Sequence, residues 1–229
     1  MLHSTTPGRL FAALAVWLLL GTTAANAELI TFEFTTQYQN SGPSTALDAF
    51  LTPGEAIVGR FTFDSLTPDA DSSPEYGLFP AAITAATIMA GSHIFEFNPT
   101  GPNGIQAIHS DLGPLGFVNQ YDVWWEIEPT LGFSGISASI HLEQFFVLPP
   151  TPMLVESDQL PLTPPDVSLI NESSWFSLNL AGDNGNEEHF MPAPTLVRVP
   201  EPSTISLLAL ALLGLGFRSG ALHLRRQPA

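Results

Sequence analysis

The chain has no cysteine, and all six of its basic residues are arginine, so lysine is absent too. Without cysteine there is no disulfide scaffold, no thiol nucleophile and no Cys-ligated zinc, and any folded part must draw its stability from a core. The shortage of cations is sharpest in the middle. Arg9, Arg218, Arg225 and Arg226 lie towards the two ends, which leaves only Arg60 and Arg198 between them. Nearly all of the 22 acidic residues fall in that middle stretch, and the formal net charge is −16. Such a surface repels phosphate backbones and anionic headgroups, which excludes nucleic acid as a partner. It favours solubility outside a cell and weak association with divalent cations.

What the ends have in place of charge is apolar sequence. Residues 10–20, Leu-Phe-Ala-Ala-Leu-Ala-Val-Trp-Leu-Leu-Leu, follow Arg9. The run suits the core of a signal peptide and is too short to span a bilayer, which takes roughly 20 residues. Ala25-Asn26-Ala27 then sets small residues at −3 and −1 of a signal-peptidase site. A signal peptide over 1–27 is expected, with Ala25 and Ala27 at the cleavage site and Glu28 opening the mature chain.

At the other end Pro200-Glu201-Pro202 precede the apolar stretch 204–217, and Arg218, Arg225 and Arg226 follow. Extended to Leu222 or Leu224, the stretch reaches about 30 Å as a helix, close to the hydrocarbon thickness. It has no polar face, so an amphipathic core helix is excluded and a single C-terminal transmembrane helix is expected. Insertion is favourable with Arg218 off-centre, where its stem carries the guanidinium to the headgroups. The basic tail stays cytoplasmic and the bulk of the chain lies outside.

This order of Pro200-Glu201-Pro202, apolar helix and terminal arginines resembles the PEP-CTERM sorting signal of Gram-negative bacteria, over residues 199–229. The resemblance implies recognition by an exosortase, a membrane-embedded cysteine transpeptidase-like enzyme, and processing near the Pro-Glu-Pro motif. It also implies company with exopolysaccharide and biofilm-matrix systems. One departure is the split basic cluster, where Ser-Gly-Ala-Leu-His-Leu separates Arg218 from Arg225 and Arg226.

Residues 28–198 have the length of one domain and a pattern of period two, broken by Gly, Pro, Asn and Asp. Ile30, Phe32 and Phe34 alternate with Thr31, Glu33 and Thr35, and Ile57, Phe61 and Phe63 share a second face. Further strands are expected at 93–97, 104–109, 121–128, 136–147, 175–180 and 189–197, and residues 80–89 read as strand, with Ile83, Ala85 and Thr87 alternating. In 136–143, Ile136, Ala138, Ile140 and Leu142 point inward. The expected class is all-β, an antiparallel, jelly-roll-like β-sandwich, because nothing supplies the helices a parallel α/β sheet needs. An acidic, proline-punctuated loop is expected at 64–75 and an extended proline-rich one between 148 and 165.

Candidate sites follow from residue type and spacing. Asp64, Asp69, Asp71 and Glu75 could gather around Ca²⁺, which takes six to eight oxygens from irregular loops, although a hydrated loop is the plainer reading. His141 with Glu143, and Glu187 with His189, have the two-apart spacing of a metal-ligand pair and equally of a solvated polar face. Gly132-Phe133-Ser134-Gly135 lacks the spacing of a nucleophile elbow and reads as a turn. Glu126 and Glu128 share a face with Trp124, whereas Trp125 points the other way, so one tryptophan is core and the other a candidate sugar-stacking platform. The expectation is an exported surface or matrix protein without a catalytic site, its partners an exosortase, the membrane and extracellular polysaccharide. The alternative is a carbohydrate-binding module, assisted or not by Ca²⁺.

Overall fold

The computed structural model describes residues 28–39, 46–146, 152–182 and 185–200, and within these not the side chains of 46, 182 and 185–187. Ala25 and Ala27, Glu201 and Pro202, the apolar stretch, and Arg218, Arg225 and Arg226 lie outside the described residues.

Among the described residues the regular structure is all strand, apart from short 3-10 turns. The strands are β1 (Leu29–Gln37), β2 (Ala56–Asp64), β3 (Tyr76–Pro80), β4 (Ile83–Ala90), β5 (His93–Glu96) and β6 (Asn103–Asp111). They continue as β7 (Phe117–Ile127), β8 (Gly135–Phe146), β9 (Trp175–Gly182), β10 (Gly185–Pro192) and β11 (Thr195–Arg198). Two antiparallel sheets result, one in the order β11-β1-β2-β4-β5 and one in the order β10-β9-β8-β7-β6-β3.

Alternation decides which side chains are buried. β1 buries Ile30, Phe32 and Phe34 and β2 buries Ile57, Phe61 and Phe63, whereas on the outside Thr31 meets Thr62 at 2.9 Å and Glu33 meets Arg60 at 2.7 Å. From the second sheet come Tyr121, Val123, Trp125, Ile136, Ala138, Ile140, Leu142, Phe176, Leu178 and Leu180, and both sets belong to one hydrophobic cluster. Phe32 stands edge-on to Phe61 and Phe63 at 5.6 and 5.3 Å. Phe34 reaches across to Phe176 at 4.9 Å and Trp125 at 6.1 Å. That reach depends on Gly59, its cross-strand partner, where a Cβ would fall into the Phe34 ring.

Several elements depart from the sequence pattern. The strand expected over 189–197 is two strands in different sheets, because the chain turns the corner through Ala193-Pro194. On β4 the buried side chains are Ile83, Ala86, Ile88 and Ala90, so Ala85 and Thr87 face outward instead. The cause is an irregular register against β2, where Thr62 pairs with Ala85 but Phe63 pairs with Ile83, which leaves Thr84 out of step. β3 follows directly on the acidic loop and had no pattern of its own. The jelly-roll-like connectivity is corrected as well. Strands β6 to β10 stay in one sheet as a meander, whereas a jelly roll exchanges strands between sheets as Greek keys. The proline-rich stretch also does more than extend. It buries Leu154, Val155 and Leu160, and its Leu154 N–H donates to Gln144 Oε1 at 2.8 Å.

Gly59→Ala is expected to destabilise the folded chain by about 1–3 kcal/mol, since the new methyl must displace Phe34 from a filled core. Urea unfolding followed by tryptophan fluorescence checks this. A variant as stable as wild type would show that Phe34 is not wedged as described.

Candidate functional site

The side of the six-stranded sheet that faces away from the core is polar and aromatic, and its layout follows from register. One transverse row runs Gly104, Trp124, Ser139, Ser177 and Phe190. The next row towards one end runs Glu126, Ser137, Asn179 and Glu188, and towards the other end Gln106, Asp122, His141, Trp175 and Pro192. Trp124 leans over Gly104, where any Cβ would collide with the indole. Trp125 is the core tryptophan, 1 % exposed. Glu126 Oε2 accepts from Asn98 Nδ2 at 3.4 Å, and Glu128 lies past the end of β7 and is exposed.

His141 is the most constrained ionisable group on this face. Its Nδ1 lies 2.6 Å from Asp122 Oδ1 and its Nε2 lies 3.2 Å from Glu143 Oε2, with the imidazole side chain 14 % exposed. Its ring stacks on Trp175 at 4.1 Å, and Trp175 in turn meets Phe190 edge-on at 5.5 Å. Burial opposes the charged imidazolium, but the hydrogen bonds and charges of Asp122 and Glu143 together outweigh it and raise the pKa above 6.5. The Ser139 hydroxyl is engaged with that of Ser177 at 2.8 Å.

The acidic loop is built from local turns. Asp64 Oδ1 accepts from Leu66 N, Asp69 Oδ1 from Asp71 N and Leu78 N, and Asp71 Oδ1 from Ser73 N, all at 2.8–2.9 Å. Glu75 Oε2 takes the Ser110 hydroxyl at 2.9 Å. Among the described residues no three His, Asp or Glu side chains are grouped so that they could hold a metal ion. Ser134 sits in a turn with Leu131 and Gly132 at positive φ and donates to the Ala181 carbonyl at 3.1 Å. The His189 side chain, a candidate for the solvated face, is instead inside the core at 1 % exposure, because it shares the inward register of Leu178.

The C-terminal end of the described chain is pinned. β11 pairs with β1 from Thr195–Thr35 to Arg198–Phe32, and Val199 N–H still donates to Thr31 O at 2.9 Å. Arg198 donates to the Leu162 carbonyl at 3.1 Å and forms an ion pair with Glu28. Pro200, the next residue, is exposed. A family model for the PEP-CTERM protein-sorting motif matches residues 198–221, so the matched segment starts inside the β1–β11 ladder. The chain is a PEP-CTERM domain-containing protein. No curated protein and no solved structure matches it.

For a PEP-CTERM protein the motif implies export, anchorage in a membrane and subsequent processing by an exosortase. Among the described residues no helix is long and apolar enough to cross a membrane. The motif-proximal residue Arg198 and residue 28 meet at one end of the two sheets. The Trp124–His141 face has no element of the motif near it in sequence and is a separate feature of this PEP-CTERM chain.

His141 gives this protein a predicted pH dependence. Because its folded pKa is raised, the stabilisation is complete below the ordinary His value of 6.5 and is lost as pH rises through the higher folded value. The thermal midpoint of wild type should fall as pH rises above 6.5, and His141→Gln should flatten that fall. Parallel midpoint curves for the two proteins would contradict the Asp122–His141–Glu143 bridge.

Proposed function

We propose that this PEP-CTERM protein is a non-catalytic cell-surface or extracellular-matrix component. It is delivered by a signal peptide ending at Ala27, held by the apolar helix after Ser203 and released or transferred by an exosortase. The single observation behind this reading is the sorting-motif match at 198–221, which begins on the last residue of the folded strand β11. On the same reading the two sheets form a β-sandwich ectodomain. Absence of catalysis is supported by His141, whose two ring nitrogens are both held by carboxylates rather than aimed at a nucleophile. The biofilm and polysaccharide association belongs to this proposal too. A carbohydrate-binding module is the second reading, favoured by an outward Trp124 on a face with many hydrogen-bonding groups.

The pinned β11 adds a geometric constraint. Val199 is the last residue in the ladder, and five residues later, at Thr204, the apolar stretch begins. An extended chain covers at most about 18 Å over that interval. Before processing, the end of the domain carrying Glu28 and Arg198 therefore sits close to the bilayer.

Glu201→Ala should leave membrane insertion intact, because the motif lies outside the hydrocarbon, and should abolish loss of the C-terminal tail in the native host. A C-terminal epitope tag followed by immunoblotting of membrane and released fractions measures this. Equal tag loss in wild type and variant would show that the motif is not what the enzyme recognises. Retention of the tag in both would make the segment a plain anchor.

A further inference from the structure

The outer face of the six-stranded sheet is hollow over its middle strands. Its floor is made of small side chains, Gly135, Ser137 and Ser139 on β8 and Asn179 and Ala181 on β9. The strands either side carry large ones in matching order. β7 contributes Glu126 and, two residues away, Trp124; β10 contributes Glu188 and, two residues away, Phe190, which is 43 % exposed. Each wall thus has one carboxylate and one aromatic ring, with the walls three strand spacings or about 14 Å apart. A depression of about 470 Å³ lies between Glu126 and Glu188 over Ser137 and Asn179, and Trp124 and Phe190 flank it one register row further along. That volume is within the range of small-ligand sites, about 300–1,000 Å³.

Both aromatic walls are held from behind. Trp124 occupies the space left by Gly104, which tilts it away from β8 and keeps the floor open. Phe190 rests edge-on against Trp175, which stacks on the His141 ring fixed by Asp122 and Glu143. A ligand here therefore meets preformed walls, and little ordering cost is left for binding to meet.

The chemistry of the trough selects its occupant. Carboxylates, an amide and hydroxyls offer several hydrogen bonds at short intervals, and the rings offer apolar faces, the combination that suits a hydroxyl-rich ring compound. Among the described residues no arginine lies at the trough, and His141 is already held between Asp122 and Glu143. Arg60 belongs to the other sheet and is bound to Glu33, and Arg198 is bound to Glu28 at the domain's end. An acidic ligand would face Glu126 and Glu188 without a compensating charge. We propose that this trough binds a non-acidic glycan chain, its sugar rings stacked on Trp124 and Phe190 and its hydroxyls bonded to Glu126, Ser137, Asn179 and Glu188. The proposal rests on the polysaccharide part of the functional reading and not on the sorting step.

The test is calorimetric titration of the exported full chain, solubilised in detergent, with three hexasaccharides: β-1,4-glucose, β-1,4-glucosamine and alginate. The expected result is binding of the glucose or glucosamine oligomer and none of alginate, the first showing a neutral ligand and the second an amine-bearing one. Trp124→Ala should weaken that binding about tenfold. Ser137→Phe, which fills the floor on an exposed strand face, should abolish it, whereas Arg60→Ala on the opposite sheet should not change it. Silence with both non-acidic oligomers, alginate binding of equal strength, or wild-type affinity in Trp124→Ala and Ser137→Phe would each overturn the proposal. Tail processing is measured separately by the epitope tag, so a chain that is processed but binds no glycan, or the reverse, shows which reading has failed.

Discussion

Phe34 lying across Gly59 is the contact on which the two-sheet arrangement depends. A residue with any side chain at 59 would push the ring back into its own sheet, and the contacts with Trp125 and Phe176 would go with it. Those contacts cross between the sheets, whereas most of the surrounding order is made within a sheet by hydrogen-bond ladders. With no disulfide to hold the layers together, cross-sheet aromatic packing has to do it. Phe61 repeats the theme at 5.9 Å from Trp125.

The same device appears on the outside of the second sheet, with the opposite consequence. Gly104 accepts the Trp124 indole as Gly59 accepts Phe34, but there the ring ends up beside an open floor instead of a filled core. Small residues on β8 and β9 and large ones on β7 and β10 make relief on what would otherwise be a flat sheet. The Asp122–His141–Glu143 bridge then adds rigidity, and it links the geometry of the Trp175–Phe190 pair to the protonation of one imidazole.

The two ends of the domain are also joined. Glu28 and Arg198 pair with each other, and Glu28 exchanges contacts with Ser65 at 3.1 and 3.2 Å. The strand entering the fold and the strand leaving it are neighbours, so β1 and β11 tie the motif-proximal residues into the sheet that carries Phe32, Phe61 and Phe63. A chain handed from export to a membrane enzyme thus presents Pro200 at the edge of a finished structure, not at the end of a long tether.

Local sequence was enough for whatever depends on period and order. The inward side of β1, β2 and β8 can be read from alternation alone, because a strand with one buried face has only two choices and the apolar residues make one of them. The sorting motif is a linear pattern, and so are the lack of cations and the acidic middle. Tertiary structure decided the rest, because it depends on which strands become neighbours. The out-of-step Thr84 turned β4 over, and only its pairing with β2 shows it. Nothing local distinguishes His189, buried opposite Leu178, from His141, held on the outer face by Asp122 of a different strand. Alternation sets Trp124 and Trp125 on opposite faces, but which of them is core depends on where the first sheet packs. The trough exists only when Glu126, Ser137, Asn179 and Glu188, from four strands, are set in one row by register.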